Sequence, residues 1–204
     1  MILPSIAVAV VLSTVVQAHF QMQYPIPRGP FVQDSEPTFC DGYTDAVNNR
    51  TLFPLSNGII NMNSEHPSWT AGVIVSTYQD PNNFSDFNSS SGYQTVVPFF
   101  RQNGEGLYCF SIDLAAAAVN ASGIKDGANV TIQVVFNGGD GNLYQCADLT
   151  LSANMTVPPA NASSGCTNVS ATTSSSAGTK GVEVGSGIIA AGVLSMAMLL
   201  LSAL

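Results

Sequence analysis

Short apolar runs alternate with clusters of turn residues along this chain, and no long stretch carries a helical period. Trp69 to Thr77 (WTAGVIVST) is rich in β-branched residues and predicts a strand. Asn129 to Phe136 (NVTIQVVF) and Leu143 to Leu151 (LYQCADLTL) predict two more, joined as a hairpin by the turn cluster Asn137 to Asn142. Gly58 to Asn61 and Gly106 to Ile112 predict further strands. Tyr93 to Phe100 reads as a strand interrupted or ended by Pro98, because proline has no N–H for a ladder. Ala115 to Ala118 fits a single helical turn. Residues 31–57, 63–68 and 80–91 read mainly as polar, turn-rich connections. The pattern predicts an all-β, antiparallel β-sandwich.

The two ends follow other rules. Met1 to Ala18 is an apolar run ending Val16-Gln17-Ala18, which fits a secretory signal cleaved before His19. Ile188 to Leu204 is a second apolar run, preceded by a spacer from Thr179 and the small triplet Ser176-Ala177-Gly178. That order reads as a glycosylphosphatidylinositol (GPI) anchor signal with attachment at Ser176. The expected division is a signal peptide at 1–18, a β-sandwich domain at 19–157, a Ser/Thr-rich stalk at 158–178 and an anchor propeptide at 179–204. This places the domain on the extracellular face of the plasma membrane, or in the cell wall.

Charge and cysteines agree with a secreted domain. From His19 to Ser176 there are four basic and twelve acidic residues, which argues against nucleic acid and anionic lipid as partners. Cys40, Cys109, Cys146 and Cys166 predict two disulfides, with three pairings open and Cys166 tying the start of the stalk to the domain. Glycosylation sequons stand at Asn49, Asn83, Asn88, Asn120, Asn129, Asn154, Asn161 and Asn168. The single tryptophan, Trp69, begins a strand that reads as buried, so core packing is its expected role.

Chemistry concentrates in two histidines. Cleavage after Ala18 would give His19 a free α-amine beside its imidazole, and the two can chelate one metal ion. His66 is the only other histidine. Three nitrogens suit copper, since Cu(II) prefers tetragonal nitrogen and oxygen donors. Asp148 is the candidate for a further oxygen ligand, with Asp140 in the Gly-rich turn as its competitor; spacing decides for neither. No Ser/His/Asp triad or phosphate-binding loop is present.

These residues bring a resemblance into view. The Ala18-His19 junction, Tyr24-Pro25, Arg28-Gly29, Cys40-Asp41-Gly42, Ser64-Glu65-His66-Pro67 and Leu143 to Asp148 resemble the fungal X325 family, the BIM1-like copper-acquisition-factor proteins. That family is itself similar to lytic polysaccharide monooxygenases. The resemblance implies an immunoglobulin/fibronectin-III-like sandwich and a histidine brace of His19 and His66 with Asp148 as carboxylate ligand. It also implies one Cu(II) per chain and a non-lytic role in copper acquisition beside a membrane copper transporter. A monomer is expected. A copper-dependent polysaccharide monooxygenase and a structural cell-wall mannoprotein are the alternatives.

Overall fold

The computed structural model describes residues 19–117 and 123–157, and the backbone of 167–168. The predicted leader, most of the stalk, Ser176, the anchor signal, Asn120, Asn161 and Cys166 lie outside the described residues.

Two sheets pack face to face. The first has the order β1-β3-β8-β11, built from Phe20–Tyr24 (β1), Gly58–Ser64 (β3), Gly106–Ile112 (β8) and Thr167–Asn168 (β11). The second has the order β2-β10-β9-β4-β7, built from Thr51–Pro54 (β2), Asn142–Ser152 (β10), Asn129–Asn137 (β9), Ser68–Ser76 (β4) and Thr95–Asn103 (β7). A small hairpin of Asn88–Ser89 (β5) and Gly92–Tyr93 (β6) and one helical turn, Leu114–Ala117 (α1), complete the set. The sandwich is mostly antiparallel. Parallel pairs occur where β10 meets β2 and where β11 meets β8, a detail the strand pattern does not reveal.

Strand periodicity explains the layers. Val130, Ile132, Val134 and Phe136 of β9 point into the space between the sheets, as do Trp69, Ala71, Val73 and Val75 of β4. Phe20, Met22, Ile60, Met62, Phe110 and Ile112 meet them from the first sheet. Trp69 takes the expected core position, 2% exposed, stacked on Phe136 and edge-on to Phe100 and Tyr108.

The outer face of the second sheet is covered as well. Phe39, Cys40, Ile74, Phe87, Val135 and Cys146 form a second cluster beneath the loops. This explains why the interior of β9 is buried on both faces and reads as a nearly continuous apolar run. The disulfide Cys40–Cys146 pins the 25–50 loop to β10. Cys109 is disulfide-bonded too.

Two differences from the strand pattern have physical causes. β7 continues past Pro98 because it is an edge strand and its register with β4 slips between Phe100 and Val97, so the missing N–H falls at an irregularity where a proline is tolerated. β2 is a short strand inside a polar segment, and its register comes from β10 rather than from its own residues. The expected 129–136 and 143–151 hairpin is present in antiparallel register, with Asn142 opposite Asn137.

Candidate metal site

Strand pairing brings the two histidines to one end of the sandwich. β1 pairs antiparallel with β3, so Phe20 stands opposite Ser64. The Glu65 N–H then donates to the His19 carbonyl at 2.9 Å. His66 follows one residue later, in the connection between β3 and β4. A start of β1 next to the end of β3 therefore sets His19 beside the loop of His66.

The β9–β10 turn closes over the same end. Gly138 lies against the His66 ring: a Cβ there would sit 2.1 Å from Cδ2 and 2.5 Å from Nε2. Asn137 Oδ1 accepts the Gly139 N–H at 2.7 Å, and Gly139 and Gly141 have φ of +114° and +140°, which glycine adopts without strain. The turn then carries Asp140 to the wall of a cavity of about 280 Å³, lined by His19, Gln33, Asp34, Pro37, Asp140 and the start of β10. Asp140 itself is exposed. A Gly138→Ala substitution should displace the His66 ring, read in its NMR resonances, and should lower the unfolding free energy by about 1–3 kcal/mol, read in denaturant melts.

His19 is only 8% exposed. Its Nδ1 lies 2.5 Å from Glu36 Oε2, and the ring meets Phe31 edge-on at 5.9 Å. Its Nε2 is buried without a hydrogen-bond partner. Burial pushes the Glu36 carboxyl up to about 7, against the opposing pull of His19 and of the Phe20 N–H. Burial likewise raises Asp41, whose Oδ2 accepts the Val32 N–H and whose Oδ1 has no partner. Among the described residues, no three His, Cys, Asp or Glu side chains form a ready-made metal cluster.

Asp148 requires a correction. The structure does not bring it to the histidines. Its Oδ1 and Oδ2 accept two bonds from Arg28, at 2.9 and 3.0 Å, in a bidentate ion pair. Thr131 Oγ1 donates at 2.6 Å, the Val47 N–H at 3.0 Å, and Arg50 stands at 3.8 Å. Alternation along β10 puts Asp148 on the face of Cys146, under the loops. Gln145 and Leu143 point the other way; Gln145 bonds the β1 backbone at Met22 N and Phe20 O, and Leu143 lines the His19 cavity. Asp140, the competing carboxylate, lines the cavity that His19 also lines.

Glu36 is the site residue that the sequence does not reveal. It lies in a polar, turn-rich stretch and carries no motif. A buried glutamate beside His19 can be recognised only once the fold brings residues 19 and 36 together.

The sequons fall into groups. Asn49, Asn88 and Asn154 are exposed, and Asn129 is half-buried. Asn83 is exposed, but its side chain caps the 84–87 turn and bonds Asn82, Ser85 and Asp86.

Comparison with known proteins adds family membership. Residues 17–171 match the family model described as "Copper acquisition factor BIM1-like". "Copper acquisition factor BIM1" of Cryptococcus neoformans var. grubii is 40% identical over 169 residues, covering 81% of this chain and 73% of the relative. The protein of the same name from Cryptococcus neoformans var. neoformans is 41% identical, covering 69% of this chain and 63% of the relative. An Aspergillus fumigatus protein described only as uncharacterized is 34% identical, covering 76% of this chain and 60% of its own length. The matched segment includes His19, His66, Glu36, Asp140 and both sheets, and on this evidence the chain belongs to the BIM1-like copper acquisition factor family.

Proposed function

We propose that the mature chain begins at His19 and binds one Cu(II) ion per molecule as cargo, serving copper acquisition without cutting polysaccharide. His19 would hold the ion through its α-amine and imidazole, His66 through its imidazole and Asp140 through its carboxylate. The observation that carries this reading is the convergence of three connections at one end of the sandwich. The start of β1 lies beside the connection that carries His66, Gly138 of the β9–β10 turn packs on the His66 ring, and Asp140 of the same turn lines the cavity that His19 lines.

The donor set suits copper. Imidazole and amine nitrogens with a carboxylate oxygen favour Cu(II), which tops the divalent affinity order. The cavity wall carries two carboxylates, Asp34 and Asp140, among Gln33, Pro37, Asn142 and Leu143, and that negative charge favours a cation. In this reading a GPI lipid at Ser176 holds the protein at the outer face of the plasma membrane. A membrane copper transporter would receive the ion.

Titration of the mature protein with Cu(II) should saturate at one ion per chain. Asp140→Asn should alter the Cu(II) paramagnetic-resonance spectrum, and Asp148→Asn should leave it unchanged. The reverse pattern would reinstate Asp148. Oxidised oligosaccharides released from glucan, chitin or xylan under reductant would move the assignment to a monooxygenase.

A further inference from the structure

The fold treats its two deeply buried carboxylates in opposite ways. Asp148 is neutralised internally, by Arg28 in direct contact and Arg50 nearby. Glu36 is fully buried, 0% exposed, and its ion-pair partner is a histidine. Its Oε1 accepts from the Phe20 N–H at 3.2 Å and from Gln145 Nε2 at 3.5 Å. Its Oε2 meets His19 Nδ1 at 2.5 Å. The Glu36 backbone is fixed as well, because its carbonyl accepts the Tyr144 N–H at 2.8 Å. A third buried carboxylate, Asp41, adds a repulsive charge interaction at Glu36. Burying a carboxylate is costly unless a cation compensates it. Among the described residues, the contacts of Glu36 are an imidazole and polar hydrogens, with no arginine or lysine ion pair.

Position gives this imbalance a direction. Nδ1 is the ring nitrogen that can close a chelate with the α-amine of the same residue. Oε2 stands against that nitrogen. We propose that Glu36 is a carboxylate of the metal site, which holds Nδ1 of His19 before the ion arrives and faces the ion once Nδ1 has taken it. This rests on the copper reading above. Glu36 then supplies the negative charge that the bound ion needs, on the buried side of the site, while Asp140 supplies it on the exposed side. A hard anionic oxygen favours Cu(II) over the softer Cu(I). Glu36 is thus a determinant of which oxidation state the protein holds more tightly.

The test uses mature protein starting at His19, with Cu(II) affinity from titration, Cu(I) affinity from competition with a chromophoric chelator, and the Cu(II) paramagnetic-resonance spectrum. Glu36→Gln keeps the shape and an acceptor for the Phe20 N–H but removes the charge. It should weaken Cu(II) binding about tenfold or more, shift the spectrum, and change Cu(I) affinity less than about threefold. Glu36→Asp restores the charge at shorter reach and should recover part of the Cu(II) affinity. A folded Gln variant with unchanged Cu(II) affinity and spectrum would overturn the proposal. So would equal losses in the Gln and Asp variants, which would assign Glu36 to packing. Absence of stoichiometric Cu(II) binding by the unsubstituted mature protein would instead sink the copper reading itself.

Discussion

One alanine added before His19 should weaken Cu(II) binding by the mature protein about a hundredfold, which corresponds to about 2.8 kcal/mol. The extension converts the α-amine of His19 into an amide and removes one donor of the chelate. The described side chains offer no substitute, since no three His, Cys, Asp or Glu residues cluster there. The protein should fold as before. The backbone contact of His19 is made by its carbonyl to the Glu65 N–H, and the Phe20 to Tyr24 strand pairs with β3 regardless of what precedes it. Titration of the two forms side by side gives the comparison. Equal affinity would mean that side chains alone hold the ion, and the chelate would have to be abandoned.

Asp148→Ala should produce the second large effect, and on stability rather than on copper. It leaves the Arg28 guanidinium buried with no counter-charge in direct contact. Breaking one side of a buried pair costs about 3–5 kcal/mol. Arg28 also donates from Nη1 to the carbonyls of Tyr43, Thr44 and Pro81, and from its backbone N–H to the carbonyl of Cys146. Losing its orientation would therefore loosen two loops against β10 at once. The denaturant midpoint should fall accordingly, while Cu(II) affinity of the folded fraction changes less than about twofold. A loss of stability below about 1 kcal/mol, or a large loss of affinity, would return Asp148 to the metal site.

The strand pattern carried most of the fold because the core depends on it. Val130 to Phe136 and Leu143 to Leu151 alternate in register with their partners, and Trp69 to Ser76 is apolar because it lies between covered faces. The pattern failed where a neighbour decided. Thr51 to Pro54 becomes a strand because β10 lies beside it. Thr95 to Asn103 accepts Pro98 because it is an edge strand whose register with β4 slips there. The two histidines stand out in the sequence by their scarcity, and the β1–β3 pairing brings His19 beside the connection that carries His66. The carboxylates do not stand out. Alternation alone puts Asp148 with Cys146 and away from Gln145, but its partner Arg28 is 120 residues distant and cannot be inferred from spacing. Glu36 was hidden for the same reason, since a glutamate in a turn-rich loop reads as solvated until the fold buries it.

The Gln145 contacts with β1 have a consequence for the timing of assembly. Met22 N donates to Gln145 Oε1 across 123 residues of chain, and Gln145 Nε2 donates to the Phe20 carbonyl across 125. Contacts of such long range must first overcome the entropy of closing the intervening loop. During synthesis the chain emerges with His19 near its front and β10 more than a hundred residues behind. The pocket that orients His19 therefore exists only after nearly the whole domain has been made. A nascent chain carries the histidines but not their setting, which forms only with completion of the sandwich.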